Sequence, residues 1–181
     1  EYVVPKDPKS PKQLACRKRF GTVNSRLSPL KNIIRNGYQD INDAYRKVTS
    51  KALREAVVGE YPDYRIDYSK IQIAGGKLKL PENISVKVEV NSRTAFFCWE
   101  PGDSQSAESA DDRVNIVCMD ESVKEALNLQ NIAKRSAGTA SINLISKNGT
   151  QGFTNPEKLH FWVYLTSCDF SQNSDSIYVK N

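Results

Sequence analysis

The sequence of 181 residues holds a single histidine, a single methionine, and no long hydrophobic run. Its purely apolar stretches, such as Ala95–Trp99 and Phe161–Leu165, are five residues each, against the roughly 18 that a membrane-crossing helix needs. No membrane span is expected. Nucleophilic sets built on Ser/His/Asp or Cys/His must draw on His160, which opens a strand-like run of large apolar residues and reads as a strand-edge side chain. GxSxG, the P-loop and GxGxxG are all absent, and the four cysteines (16, 98, 118 and 168) show no CxxC or finger spacing. These absences predict no catalytic set, no cofactor and no metal site. The chain starts at Glu1 with Met119 as its only methionine, so a start codon is expected ahead of it, with or without a leader, and the compartment is open, with the cytoplasm as default and export as the alternative.

A hydrophobic fraction of 39% with 26% charged residues fits a folded globular chain with one core and an appendage. The net charge of +5 is uneven: residues 1–60 carry 13 Lys/Arg against 6 Asp/Glu, and residues 61–181 carry 13 against 15. The basic excess sits at the front, where Lys6, Lys9, Lys12, Arg17, Lys18, Arg19, Arg26, Lys31 and Arg35 are opposed by Glu1 and Asp7 alone. Lys12, Arg17, Lys18 and Arg19 are therefore candidate contacts for an acidic protein surface or for nucleic acid. No aromatic residue interleaves with them in the way that stacking on bases requires, and a solvated helix face is the plainer reading.

Residues 1–9, with two prolines, form an extended arm. Ser10, Pro11 and Gln13 supply an N-cap, a first-turn proline and a capping-box partner. Cys16, Phe20, Val23 and Leu27 make the apolar stripe of this first helix, and Ser28-Pro29 is expected to end it and cap a second. That helix carries Leu30, Ile33, Ile34, Tyr38 and Ile41, and a third runs over 42–58 with Gly59 as its stop. From Tyr61 the period changes to two. An opening strand leads to the Gly75-Gly76 pair, read as a hinge or bulge, and seven strands follow at 84–90, 94–99, 113–119, 126–129, 139–145, 160–166 and 176–179. The resulting fold class is α+β: N-terminal helices followed by an antiparallel seven-stranded β-sandwich of fibronectin or immunoglobulin type. Its parts are a basic helical segment (1–60), a junction (61–76) and the sandwich (77–181).

Asp111-Asp112 and Asp120-Glu121 are the candidate acid pairs, and both flank turns, where acids serve solubility. Asp103 could join them at a calcium ion, yet the loop pattern for calcium is missing. Cys98 and Cys118 lie in strand-like apolar runs, which favours buried reduced thiols. Asn83-Ile84-Ser85 and Asn148-Gly149-Thr150 match the glycosylation sequon, a short pattern that arises by chance. Tyr61, Tyr64 and Tyr68 cluster at the junction and are candidate interaction residues beside their packing role.

Four segments carry a resemblance. They are Pro8–Ala15 leading into the helix with Phe20, the stretch Gly59–Ile71, the hexapeptide Arg135–Ala140, and the terminal Asp175–Val179. The chain resembles, over nearly its whole length, an uncharacterised Bacteroidetes-type bacterial family, a domain of unknown function. The resemblance implies origin and organisation, no activity and no site residues. It also implies a Gly-rich, Lys-containing segment ahead of Glu1. The four cysteines are not part of the family's pattern, which leaves the redox compartment open. The expected role is a non-catalytic interaction or structural module with a protein partner, self or other. The alternatives are nucleic-acid binding through the first helix, and a carbohydrate-binding or enzyme-accessory domain with Trp99 and Trp162 as sugar platforms.

Overall fold

The structure, a computed structural model, describes residues 9–38, 42–102, 110–146 and 152–181. Ile41, Asp103, Lys6 and the sequon at Asn148 lie outside the described residues. The fold is α+β, with three α-helices among the described residues ahead of several antiparallel sheets.

Helix α1 (Pro11–Leu27) starts with the capping box: the Ser10 hydroxyl accepts the Gln13 amide at 3.4 Å, and the Ser10 amide donates to Gln13 Oε1 at 3.2 Å. Ser28-Pro29 ends it as expected, with Ser28 at the C-cap, but does not cap the next helix. Proline has no amide to donate and its ring clashes with the carbonyl four residues back, so the chain tightens into a 3₁₀ turn over Ser28–Leu30 and passes into α2 (Lys31–Gly37) without a side-chain cap. Helix α3 (Ala44–Glu55) stops short of the expected Val58. Val57–Val58 form strand β1, which pairs antiparallel with β2 (Arg65–Ile66). Two adjacent β-branched valines favour that extended pairing. Gly59, at φ +86°, opens the hairpin loop rather than closing the helix, and a Cβ there would meet the Asp63 carbonyl at 2.8 Å.

Among the described residues seven further strands form two sheets. Strands β3 (Glu82–Glu89), β4 (Thr94–Glu100) and β7 (Thr139–Asn143) lie in the order β3-β4-β7. Strands β5 (Arg113–Asp120), β6 (Glu125–Lys134), β8 (Leu159–Thr166) and β9 (Ile177–Val179) lie in the order β6-β5-β8-β9. Strand β6 runs five residues past the expected Leu129, because a bulge around Asn131 (φ +54°) absorbs the polar Gln130-Asn131 step and lets Ala133 resume pairing with Val114. Among the described residues the three sheets are separate and do not close on one another.

The two larger sheets share one core: Ala95, Phe97 and Trp99 of β4 meet Ile116 of β5 and Phe161, Val163 of β8. The opposite face of β5 and β8 is buried too. Val117, Met119, Trp162 and Tyr164 pack against Val23, Leu27, Ile34, Val48 and Ala52 of the helices. The layers are therefore helices, four-stranded sheet and three-stranded sheet. Burial on both sides explains why β5 and β8 read as near-continuous apolar runs while β4 alternates strictly. That alternation turns Cys98 outward and exposes it, contrary to the expected buried thiol, whereas Cys118 is buried; all four cysteines are free thiols.

Residues 71–78 form an irregular strap between α2 and the chain's end. Ile71, Ile73 and Ala74 are buried, and the Trp162 indole donates to the Ile71 carbonyl at 2.9 Å. The Ser176 hydroxyl accepts the Ile73 amide at 2.8 Å. Gly75 and Gly76 sit here as a site of close approach and not as a hinge. A Cβ on Gly76 would lie 1.8 Å from the Asn173 carbonyl oxygen, and one on Gly75 would meet the Tyr38 ring at 2.4 Å. Gly76→Ala must move backbone, so it is expected to cost at least about 2 kcal/mol in urea unfolding, with Gly75→Ala milder because a side chain can yield. An unchanged midpoint for Gly76→Ala would show that the seam is loose.

Candidate interaction site

Helix α1 carries Lys12, Arg17, Lys18, Arg19 and Arg26 and no acidic residue. Only Val23 and Leu27 of its stripe are buried; Phe20 is 52% exposed and Leu14 37%. Its first half thus presents both cations and apolar surface to solvent. Opposite stands the β1–β2 hairpin loop, turned by the Asp63 amide donating to the Glu60 carbonyl at 2.7 Å. Tyr61 is exposed there and Tyr64 half-buried.

Between helix and loop runs an open groove of about 680 Å³. Leu14, Lys18 and Gly21 lie along its helical side, Tyr61 and Tyr64 face them, and Lys124 of the β5–β6 turn closes the far end. Lys124 Nζ donates to Ser25 Oγ at 3.1 Å, and Arg26 pairs with Glu121 at 3.1 Å. Gly21 stands mid-helix on this floor, and a Cβ built on it meets nothing within 4 Å. Glycine in a helix interior costs about 1 kcal/mol relative to alanine, and the fold supplies no steric reason for it here.

Of the expected interaction residues, the structure brings Arg17, Lys18, Tyr61 and Tyr64 together on this groove. Lys12 is exposed on the first turn, outside its lining. Arg19 turns to α3 instead, where its guanidinium donates to the Leu53 carbonyl near that helix's C-terminus, a stabilising position for a cation. Tyr68 is 3% exposed and belongs to the core. Lys124 was not singled out from the sequence, since it lies some hundred residues away from α1 and only the sheet delivers it. Gly21 did have a readable signal, a glycine inside an otherwise helical pattern.

The titratable groups weighed for chemistry have structural partners. Asp111 meets Lys134 at 2.6 Å, and that ammonium holds its carboxyl below the ordinary range. Asp112 lies 3.8 Å from the buried Arg135, whose guanidinium also donates to the carbonyls of Pro101 and Lys79 at 3.0 and 2.9 Å. Asp120 accepts the Phe153 amide at 2.6 Å and the Ser122 amide at 2.8 Å. Trp99 and Trp162 are buried, with Trp99 Nε1 donating to the Arg135 carbonyl at 2.7 Å, so neither offers a face to a sugar. Among the described residues no group of three His, Cys, Asp or Glu side chains is placed to hold a metal ion, and no helix is long and apolar enough to cross a membrane.

His160 stacks on Tyr68 with ring centroids 4.0 Å apart and shares a 2.9 Å hydrogen bond through Nδ1 with the Tyr178 hydroxyl. Glu121 Oε2 lies 3.7 Å from Nε2, too long for a hydrogen bond, and acts on the ring as a charge. Burial lowers the imidazole below its ordinary value despite that carboxylate. A histidine kept neutral in the fold takes up a proton on unfolding. Its contribution is therefore complete above the unfolded value of about 6.5 and lost as pH falls below it. Urea midpoints are expected to drop between about pH 7 and pH 5, and His160→Gln to flatten that drop; an equal drop in the variant would assign it to carboxylates.

Residues 3–180 match a family of unknown function, DUF6266. No curated protein matches the chain.

Proposed function

The chain belongs to the family of unknown function DUF6266, and on that premise we propose that it is a non-catalytic interaction module that contacts a protein partner across the groove between α1 and the β1–β2 hairpin. The observation that carries this reading is that Arg17 and Lys18 of the acid-free helix α1 share one groove with the exposed Leu14 and Tyr61. The acids, tryptophans and histidine that chemistry would draw on are engaged in packing and ion pairs. A bacterial origin of the Bacteroidetes type is part of the same reading, as is a fibronectin-type sandwich as scaffold. Counted from β3, the first, second and fifth strands share one sheet, and the fourth, third, sixth and seventh the other. Joining the fourth strand to the third, and not to the first and second, separates this order from the immunoglobulin constant arrangement.

A photo-crosslinking residue introduced at Leu14 or at Tyr61, both exposed on the groove, is expected to form discrete adducts in the native cell, whose mass distinguishes a second copy from another protein. The same residue at Lys87, on the outer face of the three-stranded sheet, is expected to form none. Absent adducts, or identical ones from Lys87, would remove the reading.

One observation favours a second reading. The fold sets Tyr61 and Tyr64 beside Arg17 and Lys18, the cation–aromatic juxtaposition that single-stranded nucleic acid uses. A titration with an oligo-dT strand at two salt concentrations tests it; affinity absent at low salt, or indifferent to salt, rules it out.

A further inference from the structure

We infer that the groove takes an extended acidic polypeptide segment, with its backbone passing over Gly21 and two carboxylates about three positions apart engaging Lys18 and Lys124. The inference rests on the interaction-module reading and specifies its occupant.

Lys18 and Ser25 lie on one face of α1, seven residues and about 10 Å apart along the axis. Lys124 Nζ stands 3.1 Å from Ser25 Oγ, so the two ammonium groups mark the two ends of one groove. An extended chain of polyproline-II form advances about 3.1 Å per residue with about three residues per turn, so two carboxylates about three positions apart fall on one face at the spacing of the two cations. Between the two cations the floor is Gly21, where the helix surface is bare and a Cβ would touch nothing. A helix accepts a glycine at that position at a loss of its own stability, and what it provides is room for another backbone to approach closely. The exposed Tyr61 offers an amphipathic wall for the segment's neutral side chains.

Asp63 lies in the groove and Glu60 beside it. A polyphosphate with a charge at every step meets these carboxylates unavoidably, whereas a peptide can set neutral residues against them. Polypeptide is therefore the occupant favoured over nucleic acid.

The test is a fluorescence-anisotropy titration of the full chain at low salt with a labelled peptide holding two glutamates three positions apart. A peptide with both changed to glutamine and an oligo-dT strand are run beside it. Gly21→Ala is expected to raise Tm by about 2–4 °C while weakening the glutamate peptide about tenfold. Such a combination cannot come from unfolding. Lys18→Ala and Lys124→Ala are each expected to weaken it by a similar factor, about tenfold, and Lys87→Ala to leave it unchanged. The inference is overturned if Gly21→Ala binds as tightly as the native chain, if the glutamine peptide binds equally well, or if oligo-dT binds and the glutamate peptide does not. Adducts at Leu14 or Tyr61 alongside any of these results would keep the contact surface and discard the acidic occupant.

Discussion

Strands β5 and β8 are covered on both faces, and the rest of the molecule is arranged around that requirement. One face presents Ile116, Phe161 and Val163 to the three-stranded sheet; the other presents Val117, Met119, Trp162 and Tyr164 to the helices. A sheet that is apolar on both sides loses roughly 25 cal/mol for each square ångström of apolar surface left in water, so the helical layer is an obligatory cover and not an attachment. The indole of Trp162 illustrates the coupling. It is fully buried, and its N–H finds the Ile71 carbonyl, so the strap is held at the point where helices and sheet meet.

The strap also explains why the chain's end matters to its beginning. Ser176 binds the Ile73 amide, Asp175 the Gly76 amide, and the Asn173 side chain the Gly37 carbonyl at 3.1 Å. Three of the four segments that carry the family resemblance fall on joints of this kind. Gly59–Ile71 builds the hairpin and the start of the strap, and Asp175–Val179 pins it. Arg135–Ala140 buries an arginine against two backbone carbonyls and Asp112, with Gly138 in the left-handed conformation at φ +69°. Buried joints of this sort identify a fold without implying a reaction.

Against this shared frame, the first half of α1 stands apart. Val23 and Leu27 serve the core, while Leu14, Phe20 and the cations near them do not. The same helix thereby divides its length between holding the fold and facing outward, and Gly21 lies on the groove where the two roles meet.

The α+β class, the order of helices before strands, the Ser10 capping box and the basic front were legible in the sequence. Capping, hydrophobic period and charge all act over a few residues and so leave a local record. The uncapped start of the second helix and the early end of the third were not, because a 3₁₀ turn joins the first two helices without a side-chain cap and because Val57-Val58 take their conformation from a partner strand across the hairpin. The site was legible by halves. Arg17, Lys18, Tyr61 and Tyr64 could be named individually from charge and composition, but tertiary structure alone brought them onto one groove, withdrew Arg19 and Tyr68 from it, and added Lys124. The physical reason is that a residue's type is written at its own position, whereas its neighbours are chosen by the packing of the whole chain around β5 and β8.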